Sequence, residues 1–232
     1  MPVAGLYLAL PRKGPAHGWK TGRAPSAWQQ AAHPLSRLSV QVCRLLAHDL
    51  ACRRGDRVLF RGLSLKLGPG EALQIAGANG IGKSSLIRIL AGLLRPYAGR
   101  VERAGAIGLI DEHPALDPGV PLGRALAFWR AMDGDAVEEG AVRLGLTALQ
   151  EVPVRYLSTG QKQRAALARL IGQAAPVWLL DEPLNGLDAE AVQLVEALAS
   201  EHCAGGGICV IASHQPFALP AMRRIDLAGF AA

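Results

Sequence analysis

The stretch Gly77-Ala78-Asn79-Gly80-Ile81-Gly82-Lys83-Ser84-Ser85 decides how the chain is read. It stands between two apolar runs, Ala72–Ala76 and Leu86–Leu90, each of which needs burial. The first run has strand length, and the second begins a helical repeat in Leu86, Ile87, Leu90, Leu93 and Leu94 that Pro96 is expected to stop. A strand that feeds a glycine loop opening a helix suits the pattern G-x-x-x-x-G-K-[ST]. Its glycines let successive backbone N–H groups turn toward phosphate oxygens, and the helix start adds partial positive charge there. Gly77, Ala78, Asn79, Gly80, Ile81, Gly82, Lys83, Ser84 and Ser85 are therefore expected to hold a nucleoside triphosphate, with Lys83 on the β- and γ-phosphates and the Ser84 hydroxyl on magnesium.

Such a loop needs a carboxylate on a neighbouring buried strand. Val177-Trp178-Leu179-Leu180-Asp181-Glu182 supplies two acids at a strand's end. Asp181 is the expected magnesium-side group, and Glu182, one residue further, is the expected base for a water attacking the γ-phosphate. A second helix start follows Leu157-Ser158-Thr159-Gly160-Gln161, where Ser158 suits an N-cap and Gly160 a tight entry to a helix over Lys162–Ile171.

The rest of the chain gives the frame. Strands are expected at Ala47–Cys52 and Val58–Leu67 around the turn Arg54-Gly55-Asp56, then at Ala106–Ile110, Val177–Leu180, Ile208–Ala212 and near Arg224–Leu227. Residues 112–166 read as an inserted helical subdomain with amphipathic stretches at Leu122–Met132 and Ala136–Leu149, and a helix is expected over Ala189–Ser200. The expected fold is α/β, a mixed sheet core carrying an antiparallel β subdomain and this helical insert.

Half of the 232 residues are hydrophobic, yet no apolar run is long enough for a transmembrane helix, so a membrane role has to come through a partner. The formal charge of +6 points first to nucleic acid. Its distribution argues otherwise: six basic residues and no acid fall in residues 1–48, and the remainder is neutral. No nucleic-acid partner is expected. Residues 1–45 read as a basic, flexible extension or a misplaced start, and they do not suit a secretory signal because their apolar stretch precedes the charges. Cys43, Cys52, Cys203 and Cys209 form no CxxC pair and read as ordinary thiols.

Taken together, these motifs resemble the ATP-binding-cassette (ABC) ATPases over roughly residues 46–230. The resemblance implies a P-loop NTPase domain using ATP and magnesium, with Leu157–Gln161 as the signature, Asn185–Asp188 as the D-loop and His214 as the switch histidine. It implies a head-to-tail homodimer in which Leu157, Ser158, Thr159, Gly160, Gln161 and Asp188 meet the nucleotide held by the other copy. Thr159 stands where the family usually has a second glycine. His113 is aligned with a glutamine that lies beside the metal in many members, and Arg54 either stacks its guanidinium plane in place of the usual adenine-stacking aromatic or is a solvated charge of the turn.

Softer stretches, Arg54–Phe60, Gly62–Ser64, Leu90–Pro96 and Ser213–Pro216, are similar to the haem-export ATPases of bacterial cytochrome c maturation. That likeness implies separate integral membrane permease subunits and a peripheral place on the cytoplasmic face of the inner membrane. Phe128 and Trp129 are expected either to line the groove that receives the membrane partner or to be core residues. Another importer or exporter ATPase would carry the same catalytic motifs, and a soluble cassette protein is the remaining alternative.

Overall fold

The computed structural model describes residues 43–231. Its centre is a five-stranded sheet whose inner members are short, apolar and buried along their whole length: β3 (Ala72–Ala76), β6 (Val177–Asp181) and β7 (Ile208–Ala212). With β5 (Ile107–Ile110) and β8 (Arg223–Asp226) the order is β5-β6-β7-β3-β8, and every pairing is parallel. Burial on both faces explains why these strands read as continuous hydrophobic runs. Side chains alternate between two cores. Val177, Leu179, Ile208 and Val210 face one, while Trp178, Leu180, Cys209 and Ile211 face the other.

The first core is closed by α1 (Lys83–Ala91), through Leu86, Ile87, Ile89 and Leu90, and by a three-stranded antiparallel sheet. That sheet has the order β2-β1-β4, from β1 (Arg44–Arg54), β2 (Arg57–Leu67) and β4 (Ala98–Ala104). The expected mixed character is thus divided between two sheets, one antiparallel and one parallel, among the described residues. The second core is closed by α4 (Thr159–Gly172) and α5 (Ala189–Ala204), and it also takes in α2 (Leu122–Asp133) and α3 (Ala136–Arg143). α3 and α4 approach closely at two glycines: a Cβ on Gly172 would strike Val137, and one on Gly140 would lie 3.0 Å from the Ala168 carbonyl oxygen.

Several boundaries differ from the expectation. α1 ends at Ala91, not at Pro96, because Gly92 adopts a left-handed backbone (φ 83°) and returns its N–H to the carbonyls of Arg88 and Ile89. Leu93, expected on the core face, is consequently 67% exposed. α3 stops at Arg143 rather than continuing to Leu149; Gly145 has φ 66°, and only a single 3-10 turn follows at Thr147–Leu149. α4 starts three residues earlier than expected, at Thr159, and α5 runs on to Ala204. The strand β4 has no counterpart in the sequence reading.

Candidate functional site

The phosphate loop turns on three glycines with positive φ, 142° at Gly77, 78° at Gly80 and 115° at Gly82. Gly82 is also tightly enclosed, since a Cβ there would sit 3.2–3.3 Å from Phe60 and Leu59. Lys83, the first residue of α1, is only 6% exposed. Its Nζ donates to the carbonyls of Gly77 (2.9 Å) and Ala78 (3.2 Å) and lies 3.6 Å from Glu182 Oε1. The opposite oxygen of Glu182 is 2.9 Å from His214 Nδ1, so three residues far apart in sequence form one chain of polar contacts.

The sheet explains how these side chains meet. β3 leads directly into the loop, β6 ends at Asp181 with Glu182 next in the chain, and β7, between them in the sheet, leads to Ser213 and His214. The turn carrying His214 is pinned by the Ser213 N–H donating to Ile75 O (3.2 Å) and by the Gln215 N–H donating to Ser213 Oγ (3.0 Å). Buried Gln74 donates to Gln215 O (2.8 Å). Glu182 has a left-handed backbone (φ 48°), costly for a non-glycine residue, and its N–H donates to Ala212 O (2.8 Å).

Asp181 is 2% exposed, and neither carboxylate oxygen has a hydrogen-bond partner among the described residues. Burial pushes its carboxyl above the usual range. The nearby Ser84 hydroxyl, outside hydrogen-bonding geometry, opposes that shift, while the charges of Glu112 and Glu182 add to it. Buried, unpartnered carboxylate oxygens beside a hydroxyl are a donor set that fits magnesium or its coordinated water.

An open cavity of about 580 Å³ lies over the loop. Asn79, Gly80, Gly82, Lys83, Ser84 and Ser85 line it, facing Arg54, Glu112, Glu182, Asn185 and His214. Ile81 turns toward the protein interior, against Gly77 and the first core. His113 is not among these residues. It borders a separate cavity of about 320 Å³ with Asp111, Arg169 and Gln173, and Glu112 is the residue of its segment that reaches the phosphate loop. The segment is held by an Arg88–Asp111 ion pair (3.8 Å) and by the His113 N–H donating to Asp111 Oδ1 (2.9 Å). Glu112 is not singled out by the sequence, and His113, the residue expected beside the metal, lines the neighbouring cavity instead.

The signature residues gather elsewhere. Ser158 and Gln161 form a reciprocal capping box: the Ser158 N–H donates to Gln161 Oε1 (2.9 Å) and the Gln161 N–H to Ser158 Oγ (3.2 Å). Leu157 is buried, Thr159 is exposed, and Gly160 abuts the Gly186 carbonyl so closely that a Cβ would not fit. Asp188 Oδ1 caps α5 by accepting from Ala191 N (2.8 Å). Thr159 and Gly160 thus pack against Gly186 and Leu187, but none of Leu157–Gln161 or Asp188 lines the phosphate-loop cavity. Phe128 and Trp129 also part company. Phe128 is 58% exposed, while Trp129 donates to Ala115 O (2.8 Å) beneath the Arg169 guanidinium, 3.3 Å from its ring centroid.

A glycine cradle with a buried lysine, paired acids at a strand end and a second helix start define a P-loop ATPase of the ABC class. Residues 60–185 match the family model described as ABC transporter. The "Cytochrome c biogenesis ATP-binding export protein CcmA" of Novosphingobium aromaticivorans is 58% identical over 191 residues, covering 82% of this chain and 99% of that protein. Proteins of the same name from Sphingopyxis alaskensis (53% identical, 76% of this chain and 93% of that protein) and Zymomonas mobilis (47%, 82% and 86%) are also similar. A solved chain from an inward-facing ABC transporter superposes with a TM-score of 0.67 at 25% identity, covering 79% of each chain. The chain belongs to the ABC transporter family, among the cytochrome c biogenesis ATP-binding export proteins, and is an ATP-hydrolysing subunit.

Proposed function

We propose that this chain hydrolyses ATP at the interface of a homodimer to drive a separate integral membrane permease, and that the transporter serves haem delivery in c-type cytochrome biogenesis. One observation carries the mechanical part: the signature helix start lies outside the cavity that contains Lys83, Glu182 and His214. A second copy, placed head to tail, supplies the missing wall.

In this reading the backbone of Gly77–Ser85 cradles the phosphates, and Lys83 leaves the carbonyls of Gly77 and Ala78 to hold phosphate oxygens. Ser84 and Asp181 hold magnesium, with Glu112 as the facing acid in place of His113. Bound there, the cation offsets charge on the β- and γ-phosphates. Glu182 accepts the proton of the attacking water, and His214, at hydrogen-bond distance from its carboxylate, keeps that carboxylate turned toward the γ-phosphate. The start of the partner's α4 meets the same phosphate with otherwise unpartnered N–H groups, and Asp188 holds the neighbouring turn. Hydrolysis removes the shared ligand and lets the copies part.

Residues 46–232 act as the ATPase domain, and the insert at about 112–166 is the side that meets the permease. Exposed Phe128 and Met132 are the apolar groups offered to it. The basic extension, residues 1–45, lies almost wholly outside the described residues. The reading places the chain peripherally on the cytoplasmic face of the inner membrane; no described helix is long and apolar enough to cross one. The test is purification of the full chain from detergent-solubilised membranes, with identification of the integral membrane proteins bound to it. Haem-handling subunits are expected, and exclusive recovery of a permease for an unrelated solute overturns the haem assignment.

A further inference from the structure

A second charged cavity lies on the antiparallel sheet, away from the phosphate loop. It is open, holds about 670 Å³, and is lined by Arg53, Arg95, Tyr97, Arg100 and Arg103 together with backbone from Pro96 to Val101. Its walls follow from the register of β1 and β4. The pairing slips between His48 and Ala51, where Asp49 has a left-handed backbone (φ 49°). Gly99 (φ 83°) fits against the carbonyls of His48 and Asp49 only because it has no Cβ. Beyond this bulge the Tyr97 N–H donates to Ala51 O (2.8 Å), which holds the segment that carries Arg95 across the end of β1.

The charge in this cavity is poorly matched. Arg103 is committed, with Nε and Nη2 each donating at 2.6 Å to the carbonyls of Leu90 and Ile89 at the end of α1. Arg100 lies 3.3 Å from Glu102, but that one carboxylate is also approached by Arg44 (4.0 Å) and His48 (3.6 Å). Arg53 places its guanidinium 4.8 Å from the Tyr97 ring centroid, and among the described residues neither Arg53 nor Arg95 has a carboxylate within 4.0 Å. Exposed arginines close together repel unless a ligand or counterion offsets them, and their planar forks suit phosphate oxygens. The volume is that of a small-molecule site rather than of a single ion. Tyr97, 58% exposed, adds an aromatic wall.

We propose that this cavity binds an anion carrying two or more phosphate groups, at a site separate from the ATP site. Arg53, Arg95 and Arg100 are its phosphate ligands, and Arg103 is a fixed positive wall. The adjacent residue Arg54 faces the nucleotide cavity instead, so the end of β1 separates the two sites.

Equilibrium dialysis of the full chain with inorganic pyrophosphate, without divalent cations, separates the sites. Lys83→Ala removes the phosphate-loop contribution and should leave saturable binding. Adding Arg95→Ala and Arg100→Ala should weaken that binding at least tenfold, and Arg95→Lys with Arg100→Lys, which retain charge without the fork, should fall between. On their own, the two alanine substitutions should leave ATP hydrolysis unchanged. A parallel measurement with cardiolipin-containing vesicles, whose headgroup carries two phosphates, against phosphatidylcholine alone, identifies the source of the phosphate. Arginine-dependent pyrophosphate binding assigns a soluble ligand, and arginine-dependent vesicle binding without it assigns a lipid headgroup. Binding of neither, or binding indifferent to the arginines, overturns the proposal.

Discussion

Glu182 combines a left-handed backbone (φ 48°) with a carboxylate shared between Lys83 (3.6 Å) and His214 (2.9 Å). That backbone costs about 1–3 kcal/mol, and strain of this kind is retained where it positions a reacting group. Glu182→Gln preserves shape but removes the proposed proton acceptor, so hydrolysis should fall about 10²–10⁴-fold while ATP affinity stays within a few-fold. Steady-state ATPase rates and nucleotide titration check this; near-normal turnover would assign the base elsewhere. Gly160 makes a complementary case. A methyl group there meets the Gly186 carbonyl, so Gly160→Ala should displace the start of α4 and cut hydrolysis at least tenfold without changing ATP binding to the separate chain. At this scale most of the candidate site was legible in sequence, because Lys83, Asp181, Glu182 and His214 each end or follow a buried strand that the apolar pattern marks. Glu112 was not legible, because which of Glu112 and His113 faces inward depends on the path of the segment after β5, and local pattern carries no information about that path.

Among the elements, the three central strands, β3, β6 and β7, could be read to within a residue, since burial on both faces leaves an unbroken apolar run between turn residues. β4 could not. None of its residues is buried, so no apolar run marks it, and it is a strand because β1 offers it a ladder and Arg103 reaches the last carbonyls of α1. The end of α5 carries a further consequence. The His202 imidazole stacks on Trp178, with centroids 3.9 Å apart, and burial lowers its pKa from 6.5 to about 4. The folded state therefore binds fewer protons than the unfolded chain between those values. The stabilising contribution is present above pH 6.5 and is lost as pH falls toward 4, a loss of about 2 kcal/mol between pH 7 and pH 5. Urea unfolding of the wild type and of His202→Gln at both pH values measures it. The variant should lose correspondingly less stability on acidification, and an equal loss in both would show that His202 does not titrate in this way.

For the whole molecule, the decisive feature is that the chemistry is split between two surfaces. Lys83, Ser84, Glu182 and His214 share one cavity, while Thr159 and Gly160 pack with Gly186 and Leu187 outside it. The sequence carried both groups of residues but not their separation, which follows from where α4 packs against the sheet. A lone chain then holds ATP against solvent on one side, so activity per chain should climb with protein concentration and level off once dimers dominate. Dilution series at saturating ATP test this, and a specific activity independent of concentration down to the point where only monomer remains would contradict it. The most direct measurement is the solution mass of Glu182→Gln by light scattering, with and without ATP and magnesium. The account predicts a single chain of 24.4 kDa without nucleotide and twice that mass with it. One ATP bound per chain with the mass unchanged would contradict it.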